Sequence, residues 1–158
     1  MSEISPENLA EIEKRYRAAA VIGVAQIAFT VLLAGAAWFV VRRTEVVEDN
    51  KSVTTLWILI AFVAIGSLLL RRLFSGWERL RNAALLGGIS GVLKKLQTNS
   101  LILGMFAEVI SIIGFVITIF TGSSFDMFRA AAIALIVFFV AFPRKIVWKK
   151  IVANLQGI

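Results

Sequence analysis

Cysteine and histidine are both absent from this 158-residue chain. Without thiols there is no disulfide framework and no thiolate metal site. Without imidazole there is no histidine acid–base catalysis, no haem ligation by histidine, and little to hold a transition metal. Acids are scarce, ten against seventeen bases, leaving a net charge of +7. The two prolines, Pro6 and Pro143, both read as helix boundaries. No Ser/His, Cys/His or paired-carboxylate constellation can be built from what remains. Enzyme chemistry, a cofactor and a metal site are therefore not expected.

What the chain does have is apolar length. Hydrophobic residues make up 59% of it, where soluble domains lie nearer roughly 45–50%. The excess falls in four runs, at about 18–41, 53–70, 100–121 and 127–142, each read as one crossing of a bilayer. The expected fold is all-α: an integral membrane bundle of four transmembrane helices, forming a single membrane domain over residues 1–158. About 20 largely polar residues precede the first run, so no cleavable signal peptide is expected.

Orientation follows from the bases. Lys14, Arg15 and Arg17 precede the first run, six bases lie in the 71–99 connection, and Arg144, Lys145, Lys149 and Lys150 follow the fourth. Only Arg42, Arg43, Lys51 and Arg129 fall on the other side. The positive-inside rule then places both termini in the cytoplasm. Tyr16, Trp77 and Trp148 fall at the inner interface and Trp38 and Trp57 at the outer, as an aromatic belt requires. A basic balance can signal nucleic acid, but these bases flank apolar runs, so nucleic acid is not an expected partner. The expected partners are the lipid bilayer, with anionic headgroups at the cytoplasmic face, and other subunits of a homo-oligomer or membrane complex. The expected location is the cell's inner (plasma) membrane.

The connections carry local signals. Ser5-Pro6-Glu7 is a helix start, with a cap, a first-turn proline and an acid at the positive end of the dipole. Leu9, Ile12 and Tyr16 then share a face, and Glu11–Arg15 and Glu13–Arg17 are i,i+4 pairs. This predicts a solvated helical lead-in to the first span. In residues 42–52 three bases and three acids cancel. Residues 71–99 form a basic amphipathic cytoplasmic connection between helices 2 and 3, with Leu73, Trp77, Leu80 and Ala84 at helical spacing. That pattern suits a helix lying at the headgroups, or the second span continuing out of the membrane. Leu85-Leu86-Gly87-Gly88-Ile89-Ser90-Gly91 breaks the helix; with no Gly-Lys-Ser/Thr after it and no strand before it, it is not a phosphate loop. Gly122-Ser123-Ser124 predicts a tight turn, and Trp148 an interfacial anchor.

One ionisable group stands inside the third run. Glu108 lies about a third of the way along it, where inserting an acid costs about 2–3 kcal/mol or more. A carboxyl in hydrocarbon favours its neutral form, and given a water path it can gain and lose one proton. On a helix it shares a face with Gly104, Met105, Ser111, Ile112 and Phe115. Ser111 could donate a hydrogen bond to it. In the first span Gln26 and Thr30 lie one turn apart, and Gln26 and Glu108 are each near the ninth residue of parallel spans. A Gln26–Glu108 bond is then within reach. Glu108, Gln26 and Ser111 are thus the candidate ion- or proton-binding residues, with Gly104, Gly114 and Gly23 as helix-packing positions. A structural acid bonding a neighbouring helix is the plainer alternative.

The run Asn99 to Phe120, NSLILGMFAEVISIIGFVITIF, resembles the carboxylate-bearing helix of subunit c, the rotor-ring proteolipid of F- and V-type ATP synthases. The resemblance rests on a small-residue turn leading to Ala107-Glu108, then a Ser, Ile and Gly stretch and an aliphatic run. It implies that Glu108 matches the family's proton- or sodium-binding acid. The family's partner helix is dense in glycine, whereas the second span here has only Gly66 and the first Gly23 and Gly35. Ala25-Gln26 echoes Ala107-Glu108, as a duplicated two-helix hairpin would. The functional expectation is a proteolipid using Glu108 in ion handling or helix assembly. The alternatives are an accessory or scaffold subunit of a larger membrane complex and a small oligomeric transporter.

Overall fold

The computed structural model describes residues 5–42, 50–74 and 76–155. The described residues form five helices and no strand: α1 (Pro6–Val41), α2 (Asn50–Phe74), α3 (Trp77–Thr121), α4 (Ser124–Ala141) and α5 (Lys145–Leu155). Four helical stretches, one in each predicted run, are long and apolar enough to cross a membrane. Most of the 42–52 connection lies outside the described residues.

Each helix buries a stripe set by its spacing. In α1 the buried residues are Ile12, Ala19, Gln26, Thr30 and Ala37, nearly all seven apart. That is one narrow seam, and the large side chains beside it, such as Val21, Val31, Leu32 and Phe39, are exposed. A helix so greasy outside its seam suits hydrocarbon, not water. In α4, Met127, Ala130, Ala134, Val137 and Ala141 repeat at alternating three and four, the spacing of a coiled-coil face. α3 lies at the centre. It packs on α1, α2 and α4, and half of its most apolar stretch is buried. The backbones of α1 and α2 do not approach each other closely among the described residues, whereas α3 and α4 share the largest interface. The two hairpins are therefore built differently, which argues against the duplicated hairpin.

Small residues permit these approaches. A methyl group on Gly114 would overlap the Ala130 Cβ of α4. The edge of the Phe142 ring lies 3.3 Å from where a Cβ on Gly23 would sit. The turn between α3 and α4 needs glycine for a different reason. Gly122 ends α3 in the left-handed conformation, φ 63°, with its N–H donating to the Thr118 carbonyl at 2.9 Å.

In the 71–99 segment the helix breaks inside Leu85–Gly91, as expected. α2 ends at Phe74 and α3 starts at Trp77, but Gly88 (φ 60°, ψ −159°) interrupts α3. The helix folds back there: the Ala83 carbonyl oxygen lies 2.9 Å from where a Cβ on Gly91 would be. Leu80 joins Val92 and Leu155 in one buried cluster, although residues 80 and 92 would be about 18 Å apart in an unbroken helix. Residues 77–87 and 89–99 thus form a helical hairpin. Its apolar faces meet each other and α5, leaving Arg79, Arg81 and Lys94 exposed.

The lead-in is not a solvated extension. Ser5 caps α1, accepting from the Asn8 N–H at 3.4 Å, and the first turns then dock. Ile12 is fully buried with Leu93, Trp148 and Val152, and Tyr16 meets Trp148 edge to face at 6.1 Å. Trp148 is therefore a buried wedge between α5, α1 and α3, with 3% of its surface exposed, not an exposed interfacial anchor. Together the lead-in, the hairpin and α5 make a small helical head at one end of the bundle. Thirteen of the chain's bases sit in or beside it.

Polar contacts clamp the head, below the apolar run of α1. Ser90 donates to Glu11 at 2.7 Å, Arg15 reaches Glu11 at 2.9 Å and Ser90 at 3.1 Å, and Lys145 and Arg17 both pair with Glu13. The Ser90 hydrogen bond, with help from Arg15 and against some burial, holds the Glu11 carboxyl below its ordinary value. Lys145, then Arg17, do the same for Glu13.

Two outcomes follow from this packing. Carboxyls lowered in the folded state stabilise it above their unfolded value, near 4.5, and that support is lost as pH falls through the folded value. Hydrogen-exchange protection factors in residues 6–17, corrected for the intrinsic rate at each pH, should therefore fall below about pH 4.5 while those of the spans hold, and E11Q/E13Q should show the same loss at pH 7. Within the bundle, Gly114→Leu should lower unfolding stability in detergent by about 1–3 kcal/mol, because a side chain must be forced between α3 and α4.

Candidate functional site at the α1–α3 seam

α1 and α3 run parallel and in register. Glu11 faces Ser90, Gln26 faces Gly104, and Thr30 faces Ser111. The middle of this seam carries three of the bundle's buried polar residues, Gln26, Thr30 and Ser111. Thr30 and Ser111 are 1% and 0% exposed, and their hydroxyls lie 2.9 Å apart. Ser111 also donates to the Ala107 carbonyl at 3.2 Å. With the Ser111 proton directed to its own helix, Thr30 is the donor across the seam. Thr118 makes a similar bond to the Gly114 carbonyl, at 3.0 Å.

Gln26 is buried against Gly104, its amide lying where a side chain on that residue would be; a Cβ there would overlap Gln26 Oε1. Glycine at 104 is what lets the longer polar side chain enter the seam. A cavity of about 10 Å³, roughly one water in size, lies beside it between Ser100, Gly104 and Phe142.

Glu108 sits differently. It is half-buried, on the margin between the α1-facing stripe of Gly104 and Ser111 and an exposed face bearing Met105 and Ile112. Among the described residues its carboxyl has no hydrogen-bond or ion-pair partner within the chain. The expected bond to Gln26 does not form, because Gln26 is turned onto Gly104, a full turn nearer the head. The expected bond from Ser111 does not form either, because that hydroxyl is engaged by Thr30 and Ala107. The three candidate ion-binding residues therefore line one seam without making one cluster. Thr30 is the member that reasoning from Glu108 passed over as a partner for Ser111. Its signal was the spacing: Gln26 and Thr30 are one turn apart, and Gly104 and Ser111 are two.

No group of three or more His, Cys, Asp or Glu side chains comes together among the described residues. What the seam offers chemically is one carboxyl at the edge of the bundle beside a satisfied hydroxyl pair. Asp126 lies in the first turn of α4, beside the α3–α4 turn, 3.8 Å from Arg129. Replacing Thr30 by Val or Ser111 by Ala should each weaken the bundle, and a double-mutant cycle should return a coupling of about 0.6 kcal/mol, the usual size for such bonds between membrane helices. Additive losses would mean that the two hydroxyls do not support each other. No family model matches the chain, and neither does any curated protein or solved structure.

Proposed function

We propose that this chain is a membrane-embedded subunit whose Glu108 works at a surface shared with another molecule, handling a proton or small cation or joining helices there. One observation carries the reading: the acid lies half-buried at the exposed margin of the seam, with no hydrogen-bond or ion-pair partner among the described residues. An acid in a membrane helix normally faces a partner or a water-filled path. A subunit c-like role has the same requirement, because its carboxyl is met from outside the helix hairpin. The basic head supports a cytoplasmic placement of both termini in a plasma membrane, by the positive-inside rule.

A second reading has its own support. The head carries most of the chain's bases on a compact helical platform. That suits a non-catalytic accessory or scaffold subunit resting on anionic lipid, with Glu108 only a structural acid.

Glu108→Gln separates the two. For ion handling, a hydrophobic carbodiimide should label the wild-type protein in liposomes at residue 108, and E108Q should abolish both labelling and any proton flux while the assembly seen by native mass spectrometry persists. For helix joining, E108Q should preserve neither label nor oligomer. Unchanged assembly and flux in E108Q would leave the scaffold reading standing alone.

A further inference from the structure

We propose that the groove where the head meets the bundle binds one diacyl anionic phospholipid, with Arg71 and Arg144 taking its phosphate. This rests on the four helices crossing a membrane, but not on any role for Glu108.

The groove, about 280 Å³, lies between the end of α2, the start of the 77–99 hairpin and the corner joining α4 to α5. Its walls are apolar, with Phe74, Leu103 and Val140, while Asn99, Arg71 and Arg144 supply polar groups and Trp77 stands at the side. Asn99 is anchored, its amide donating to the Phe74 carbonyl at 3.4 Å. Trp77 is 44% exposed, at the level where the greasy spans give way to the head.

The arginines are uncompensated. Among the described residues neither makes an ion pair, and the guanidinium of Arg144 only stacks near the Phe139 ring, 5.7 Å from its centre. The acids of the head that are engaged, Glu11 and Glu13, belong to Arg15, Arg17 and Lys145. An anion from outside is therefore the complement this groove lacks.

Shape specifies the rest of the molecule. Arg144 also borders a cavity of about 480 Å³ among Leu135, Phe138 and Phe139 on the bundle surface. Arg71 borders another, of about 350 Å³, with Leu68, Arg72 and Val140. One charged groove thus adjoins two separate clefts, one lined largely by apolar residues of the spans and the other by Leu68 and Val140 beneath two arginines. A phosphate carrying two acyl chains fits that plan, and free phosphate leaves both clefts unused.

Native mass spectrometry of the full chain tests this, using equal amounts of dioleoylphosphatidylglycerol and dioleoylphosphatidylcholine. One phosphatidylglycerol should be retained, with a preference of about fivefold for each arginine. R71Q/R144Q should lose that preference, and K94Q/K149Q, which removes the same charge elsewhere on the head, should keep it. Equal loss in both variants would mean diffuse charge attraction and overturn the proposal. So would displacement of the lipid by millimolar inorganic phosphate, or a dimer that occupies the groove without lipid. Should R71Q/R144Q fail to fold, wild type and W77F in bilayers of brominated lipid decide. Brominated phosphatidylglycerol should quench Trp77 more than brominated phosphatidylcholine, and equal quenching overturns the site. No quenching of any tryptophan by either lipid would instead sink the membrane reading beneath it.

Discussion

Close approach to α3 is the constraint on which the rest of the bundle depends. Helices in lipid gain little by hiding apolar surface from one another, because the acyl chains are equally apolar. Association then comes from van der Waals contact, and contact needs small residues where the axes are nearest. α3 supplies them at Gly104, Ala107, Ser111 and Gly114, all buried. Gln26 fills the space over Gly104 and Ala130 the space over Gly114, so the same helix accepts α1 on one side and α4 on another. α2 joins through Ile60 on the α3–α4 unit, and among the described residues its backbone makes no close approach to α1. The architecture is a central α3–α4 pair flanked by α1 and α2.

The membrane-crossing helices were legible because their signal is local. Some 20 consecutive apolar residues state a span without reference to anything else in the chain. The cap at Ser5 and the left-handed turn at Gly122 were legible for the same reason: each is settled within a few residues. The head was not. Its hairpin joins Leu80 to Val92 across Gly88, and its core joins Ile12 to Leu93 and Trp148, contacts that span up to 136 residues of sequence. An amphipathic pattern reports that a face will be covered but not by what, and lipid and protein are equally good candidates. Apolar residues on both sides of Gly87-Gly88 were the available clue, since two such stretches flanking a glycine pair can cover each other. The candidate site was half legible. The depth of Gln26 and Glu108 was readable from counting, but the rotation that turns Gln26 onto Gly104 depends on which helix fills that gap.

Head and bundle solve opposite problems. Along the apolar run of α1, the large side chains point outward and the small ones inward, as at Phe39 and Ala37. In the head the order reverses: Ile12, Leu80, Leu93 and Trp148 are inside, and Lys94, Lys149 and Lys150 are outside. α1 passes through both regimes without a break, its seam continuing from Ile12 to Ala37. At about 54 Å it is nearly twice the thickness of a hydrocarbon core. Such a change of rule along one helix is what a passage from solvent into lipid requires. It falls near Ala18, just past the Tyr16–Trp148 contact.

The polar groups of the seam then differ in what they ask of their surroundings. Thr30 and Ser111 satisfy each other and a backbone carbonyl, and such a pair adds only a few tenths of a kcal/mol to cohesion. Replacing them with alanine or valine would be a mild change for a bundle already packed on small residues. Glu108 is of another order. An acid placed inside hydrocarbon costs about 2–3 kcal/mol, and no hydrogen bond or ion pair among the described residues offsets it. A fold needing only cohesion would do better with an apolar residue at position 108. On the proposed reading that cost is recovered at the exposed margin beside Met105 and Ile112, from whatever adjoins the bundle.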